Sequence, residues 1–149
     1  MSVHNHDCPA LGWGACTCEY AVLSPSRSVT ITIPGRPPTP NVSTRLVWQA
    51  RAKHVKHWRD VAATAADAAL DGREWSPLER ATLDVTFILP DHRDRDLDNL
   101  VASSKVLTDG LVRAGVLAGD SIRHITAASY GWEYRKGETA TVYVVREAA

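Results

Sequence analysis

Asp91, Asp94, Asp96 and Asp98 stand close together in the segment DHRDRDLDN, interleaved with His92, Arg93 and Arg95. In extended chain, residues two apart point the same way, so Asp96 and Asp98 can present both carboxylates on one side. Two carboxylates held together raise each other's pKa unless a cation sits between them. A hard divalent ion such as Mg²⁺ suits the pair, because it takes oxygen ligands and keeps several waters. Asp120, in GVLAGDS, becomes a third ligand if the intervening helix returns to the same sheet edge. Lys105 lies seven residues after Asp98 and four before Asp109, so one helix face can carry all three. A lysine beside such a cluster can bind a scissile phosphate or stabilise its developing charge. The same residues also fit an inert surface loop of acid–base pairs, with Asp98 capping a helix and Lys105 pairing with Asp109.

A second group of chemically capable residues is His4, His6, Cys8, Cys16 and Cys18. Three cysteines with one histidine, most simply His6, Cys8, Cys16 and Cys18, can make a tetrahedral Zn²⁺ site. The C-x7-C-x-C arrangement departs from the usual spacing of paired ligands, and a tail with reduced thiols is the alternative. An odd cysteine count argues against a disulfide framework. No Ser-His-Asp or Cys-His nucleophile is evident.

These residues need a scaffold, and 149 residues are enough for one domain with a short appendage. A hydrophobic share of 44% with 23% charged residues can bury a core, which excludes a disordered polyampholyte. No apolar run approaches the roughly 18 to 20 residues of a membrane-spanning helix, and the N-terminus lacks the pattern of a signal peptide. The expectation is a soluble, cytoplasmic protein. Seventeen basic residues balance seventeen acidic ones, so any nucleic-acid surface must be local.

Residues 1–27 show no hydrophobic period and read as a Cys/His-rich extension; residues 28–149 read as the folded domain. Val29, Ile31 and Ile33 alternate with threonines as a half-buried strand, and PGRPPTPN then forces a loop. A helix is expected from Ser43 or Thr44 to about Leu70. Its apolar stripe is Val47, Ala50, His54, Trp58, Val61, Ala65 and Ala69, and its first half is crowded with basic residues. Leu83, Val85, Phe87 and Leu89 mark a second strand. A second helix is expected over Leu100–Arg113, followed by strands near Ile125–Tyr134 and Thr139–Val145 joined by a Lys136-Gly137 turn. The order points to an α+β domain, two main helices packed on a mixed sheet.

The stretch LPDHRDRDLDNL, followed by SKVLTDGLVRAGVLAGDS, resembles the RusA family of Holliday junction resolvases, and ITIPGRPPTPN resembles that family's first strand and Pro/Asn segment. The likeness covers about residues 28–146. It implies a RusA-like fold and a small, often prophage-encoded, Mg²⁺-dependent endonuclease acting as a homodimer on four-way DNA junctions. Asp96 and Asp98 match the family's paired metal-binding aspartates and Asp120 its third acid. Lys105 matches its catalytic lysine when the alignment is anchored through Asp109, which implies about three extra residues after Asn99; anchored on Asn99, that position falls near Ala102. Gly119 stands where the family often has another aspartate. Branched DNA would be held by Arg36, Arg45, Arg51, Lys53, Lys56 and His57, with Trp48 and His57 able to stack on opened bases. Two other readings are a nuclease of branched or flap DNA and a catalytically silent, zinc-containing DNA-binding protein.

Overall fold

The structure, a computed structural model, describes residues 26–149. The elements are β1 (Ser28–Pro34), α1 (Pro40–Ser43), α2 (Trp48–Leu70), β2 (Ala81–Leu89), α3 (Leu97–Ser103), α4 (Lys105–Arg113), β3 (Ile125–Tyr134) and β4 (Ala140–Glu147). They form an α+β domain with a four-stranded mixed sheet in the order β1-β4-β2-β3. β4 pairs antiparallel with β1 and β2, whereas β3 runs parallel to β2. Among the described residues no helix is long and apolar enough to cross a membrane.

The strand periods do what alternation demands. Val29, Ile31 and Ile33 of β1, Leu83, Val85 and Phe87 of β2, and Tyr143 and Val145 of β4 are all buried in the main core. Ala62 and Ala66 of α2, Leu100 of α3, and Leu107 and Leu111 of α4 join that core. β3 is different: nearly all of it is exposed, including Tyr130, Trp132 and Tyr134.

Four expectations need correction. The helix expected from Ser43 or Thr44 to Leu70 is two. Pro40, with its fixed φ, starts a single turn as α1, and extended backbone at Val47 (φ −60°, ψ 151°) separates it from α2. The apolar stripe holds from Trp58 onward: Trp58, Val61, Ala65 and Ala69 pack on the core beside Ala62 and Ala66. Val47 is 69% exposed and His54 is exposed too. The second helix likewise divides, at Ser104, into α3 and α4. The expected hairpin between the last two strands is absent, because β2 lies between them. The Lys136-Gly137 turn instead passes over the end of β2, where Arg135 and Gly137 donate their amides to the Leu89 and Pro90 carbonyls.

α2 and α4 approach closely at one glycine. A Cβ on Gly110 would stand 2.6 Å from Ala62 Cβ and 2.7 Å from the Arg59 carbonyl oxygen. Neither neighbour is the end of a flexible side chain, so the helices themselves must part. Overpacking costs about 1–3 kcal/mol, against a gain of about 1 kcal/mol from replacing a helical glycine by alanine. Gly110→Ala is therefore expected to lower stability by about 0–2 kcal/mol, the difference between the two effects. Urea denaturation of the two proteins checks this, and a variant stabilised by the full helix-propensity gain of about 1 kcal/mol would refute the close contact.

Candidate functional site

The acidic loop leaves the C-terminal end of β2 and feeds α3. Asp91 organises it. Arg95 Nη2 donates to Asp91 Oδ1 at 2.6 Å, and Arg95 Nη1 donates to the Asp91 and Arg93 carbonyls. The Arg93 amide donates to the same carboxylate at 3.0 Å. Arg95 first, then the Arg93 amide, hold the Asp91 carboxyl below its ordinary pKa. His92 stacks on Tyr134, with ring centroids 3.4 Å apart, and so joins the loop to β3.

Asp96 is the N-cap residue of α3 in extended backbone, displacing Asp98 from that role, but its side chain makes no capping bond. Its Oδ2 accepts instead from Asn99 Nδ2 at 3.3 Å. Asp98 is exposed in the first turn. Among the described residues neither Asp96 nor Asp98 has a cationic partner within 4.0 Å.

Lys105, the first residue of α4, donates from Nζ to Asp120 Oδ2 at 3.0 Å and Asp109 Oδ1 at 3.4 Å. Asp109 Oδ2 in turn accepts from Arg59 Nη2 of α2 at 3.1 Å. The result is an alternating chain, Arg59–Asp109–Lys105–Asp120. The bond that Lys105 donates to Asp120 and the charge of Asp109 raise the Lys105 pKa, and Lys105 lowers that of Asp120. A raised lysine pKa contributes stability below the ordinary lysine range and loses it as pH rises. A lowered carboxylate pKa contributes above the ordinary carboxylate range and loses it as pH falls. Lys105 and Asp120 are consequently both charged throughout the neutral range.

The third aspartate is not where a metal site needs it. Among the described residues no three His, Cys, Asp or Glu side chains stand close enough to share a metal ion. Asp120 is held by Lys105 and lines a cleft with Arg59, Asp109, Val112 and Arg113. Asp96 and Asp98 stand at the start of α3, whereas Asp120 is drawn to Lys105 at the start of α4, a separate helix beyond the break at Ser104. The three carboxylates as placed in one chain do not fit a shared Mg²⁺.

The predicted cations fall into separate groups. Arg51 lines one groove with Trp48, Val55, Lys56, Arg59 and Arg113, while Lys53 and His57 share another with Ala50 and His54. Trp48 is 74% exposed. Among the described residues Arg45, Arg51 and Lys53 have no acidic partner, whereas Lys56 and Arg113 both pair with Asp60, at 2.8 and 2.6 Å. Arg36 lies in the loop after β1, with Nη1 buried and without a hydrogen-bond partner; burial first, then Arg95, lower its pKa. His6, Cys8, Cys16 and Cys18 lie outside the described residues.

Arg59 and Arg113 were missed as site residues. Arg59 was readable from its eight-residue separation from Arg51, two helix turns through Val55. Arg113 depends on how α2 and α4 pack, which spacing along one helix does not carry. Tyr143 was also missed: its hydroxyl, rising from β4, donates to the Ser104 carbonyl at 3.0 Å and bonds Thr108 Oγ1 at 3.2 Å. It thereby supports the α3–α4 break from which Lys105 projects.

No protein-family model matches the chain, and no curated protein matches it.

Burial pushes the Tyr143 phenol up to about 12. A raised acid pKa means that stability is intact below the ordinary value near 10 and is lost as pH climbs towards 12. In full-length protein one tyrosine is expected to ionise near pH 12, and Tyr143→Phe should abolish that step. The variant should also cost about 0.5–1.5 kcal/mol, the net worth of one hydrogen bond, since the Ser104 carbonyl keeps the Leu107 and Thr108 amides as donors. A tyrosinate titration followed at 295 nm, complete by pH 11, would contradict the buried hydroxyl.

Proposed function

We propose that this chain is a structure-selective endodeoxyribonuclease that resolves four-way DNA junctions, a member of the RusA type working as a homodimer. The observation that carries the reading is the pair Asp96 and Asp98 at the start of α3, without cationic partners among the described residues, with Asp98 one turn before Ala102 on the same face. Ala102 and Lys105 line one cleft with Arg51 and Arg59 of α2. Carboxylates near a cleft with two arginines, and a neighbouring groove that shares those arginines and carries the exposed Trp48, suit a phosphodiester substrate with opened bases. The likeness of LPDHRDRDLDNL to the resolvase motif supports the same reading. Two symmetric cuts across a two-fold junction call for a two-fold dimer.

Each residue has a part in this reading. Arg51 and Arg59 hold strand phosphates, and Trp48 offers a stacking surface. Lys105, kept charged by its two aspartates, faces the phosphate and offsets charge developing on it. Asp96 and Asp98 stand nearest the start of α3. No step is assigned to a metal held by all three aspartates, since Asp120 is engaged by Lys105. That engagement favours a second reading, a DNA-binding protein without cleavage.

A nicking assay with Mg²⁺, comparing a synthetic four-way junction with linear duplex, separates the two readings. Cleavage of the junction alone supports resolution; equal cleavage of flaps makes the chain a general branched-DNA nuclease; binding without cleavage supports the silent protein. Asp96→Asn and Asp98→Asn should each remove cleavage and retain junction binding. Lys105→Ala should slow cleavage more than tenfold, about 1.4 kcal/mol of transition-state stabilisation, and a rate within twofold would return Lys105 to simple pairing with Asp109. Arg51→Gln should weaken junction binding and reduce the slope of log affinity against log salt by about 1.

A further inference from the structure

A cleft of about 310 Å³ lies between the proline-rich loop after β1 and helices α2, α3 and α4. Its apolar walls are Pro37, Pro38, Val55, Trp58 and Val106. Its charged residues are Arg51, Arg59, Lys105 and Asp109, three cations to one acid. Asp109 is already engaged by Arg59 and Lys105, and among the described residues Arg51 has no acidic partner. The cleft therefore has flat apolar walls and an excess of positive charge, a match for a flat base joined to a phosphate.

The walls are built in advance. Gly35 has a left-handed backbone (φ 81°), and a Cβ there would stand 2.9 Å from Trp58 Cη2, so its bare Cα lets the indole lie against the loop. The loop is fixed to β4, since the Gly35 amide donates to the Thr139 carbonyl at 2.9 Å and Thr141 Oγ1 donates to the Gly35 carbonyl at 3.3 Å. A preformed wall avoids the ordering cost of binding. The volume stands at the low end of small-ligand sites, about 300–1,000 Å³, which accommodates one nucleotide and excludes a duplex.

We propose that this cleft receives a single unpaired nucleotide of the substrate strand, its base between the proline and Trp58 walls and its phosphate on Arg51 and Lys105. Stacking on apolar walls tolerates any base, so the cleft selects for an opened strand over a paired one. The ligand class rests on the proposed nuclease function; the binding itself is measurable without cleavage.

Titration of full-length protein with thymidine 5′-monophosphate and with inorganic phosphate, followed by amide chemical shifts, tests the proposal. The nucleotide is expected to bind at least tenfold more tightly than phosphate and to shift the amides of Val55, Ala102 and Val106. Arg51→Gln should weaken it at least fivefold, and Val55→Trp, which fills the cleft from the exposed half of α2, should abolish it. Equal affinity for phosphate and nucleotide, or shifts confined to other residues, would overturn the proposal whether or not either variant folds. Nucleotide binding without junction cleavage would uphold the cleft and count against the nuclease. Cleavage without nucleotide binding would do the reverse.

Discussion

The parallel pairing of β2 with β3 is the constraint on which this fold turns. Parallel neighbours cannot be joined by a tight turn, because the chain must travel back along the whole strand before it pairs again. Here the return occupies residues 90–124, and it carries the acidic loop, α3, α4 and Asp120. The acidic residues and the lysine of the proposed site all lie on this one connection. Its helices must also cover the sheet, which is why Leu100, Leu107 and Leu111 face the core while Asp98 and Lys105 remain exposed.

Closure of that layer against α2 brings the cations together. Ala62 and Gly110 let the two helices touch almost backbone to backbone, and Arg59, one helix turn before Ala62, then meets Asp109, next to Gly110, across the seam. Small residues at the crossing and charges beside it are two sides of the same packing. A bulkier contact would move Arg59 away from Asp109 and leave Lys105 with one fewer restraint on its aspartate neighbours.

The strands were legible because alternation reports directly on which side of a sheet is buried. Val29, Ile31, Ile33 and the run from Leu83 to Leu89 sit where their period puts them. Sheet order was not legible, since alternation in Ile125–Tyr134 and Ala140–Glu147 cannot show that β2 slots between them. The helix breaks were hidden for a related reason: Val47 and Ser104 are ordinary residues, and their backbone is decided by tertiary contacts such as the bond from Tyr143 to Ser104. Within the site, the Lys105–Asp109 spacing was readable as one helix turn, and the structure closes that pair. The link from Lys105 to Asp120 depends on where the chain travels after α4, and local pattern contains no record of it. The convergence of Asp96, Asp98 and Asp120 assumed one continuous helical path returning to one sheet edge; the path that folds is longer and bent at Ser104.

The chain Arg59–Asp109–Lys105–Asp120 also has a genetic consequence. Each inner member neutralises two others, so replacing one residue changes the electrostatic state of its neighbours as well as its own. Changes at residues in contact do not add. Neutralising Asp120 leaves Lys105 with Asp109 alone, and neutralising Lys105 strands Asp120 while Asp109 keeps Arg59. The phenotype of any single allele therefore mixes the loss of one group with the release of another. The four positions are thus electrostatically coupled, and the effect of a change at one is read against the residue that stands at the next.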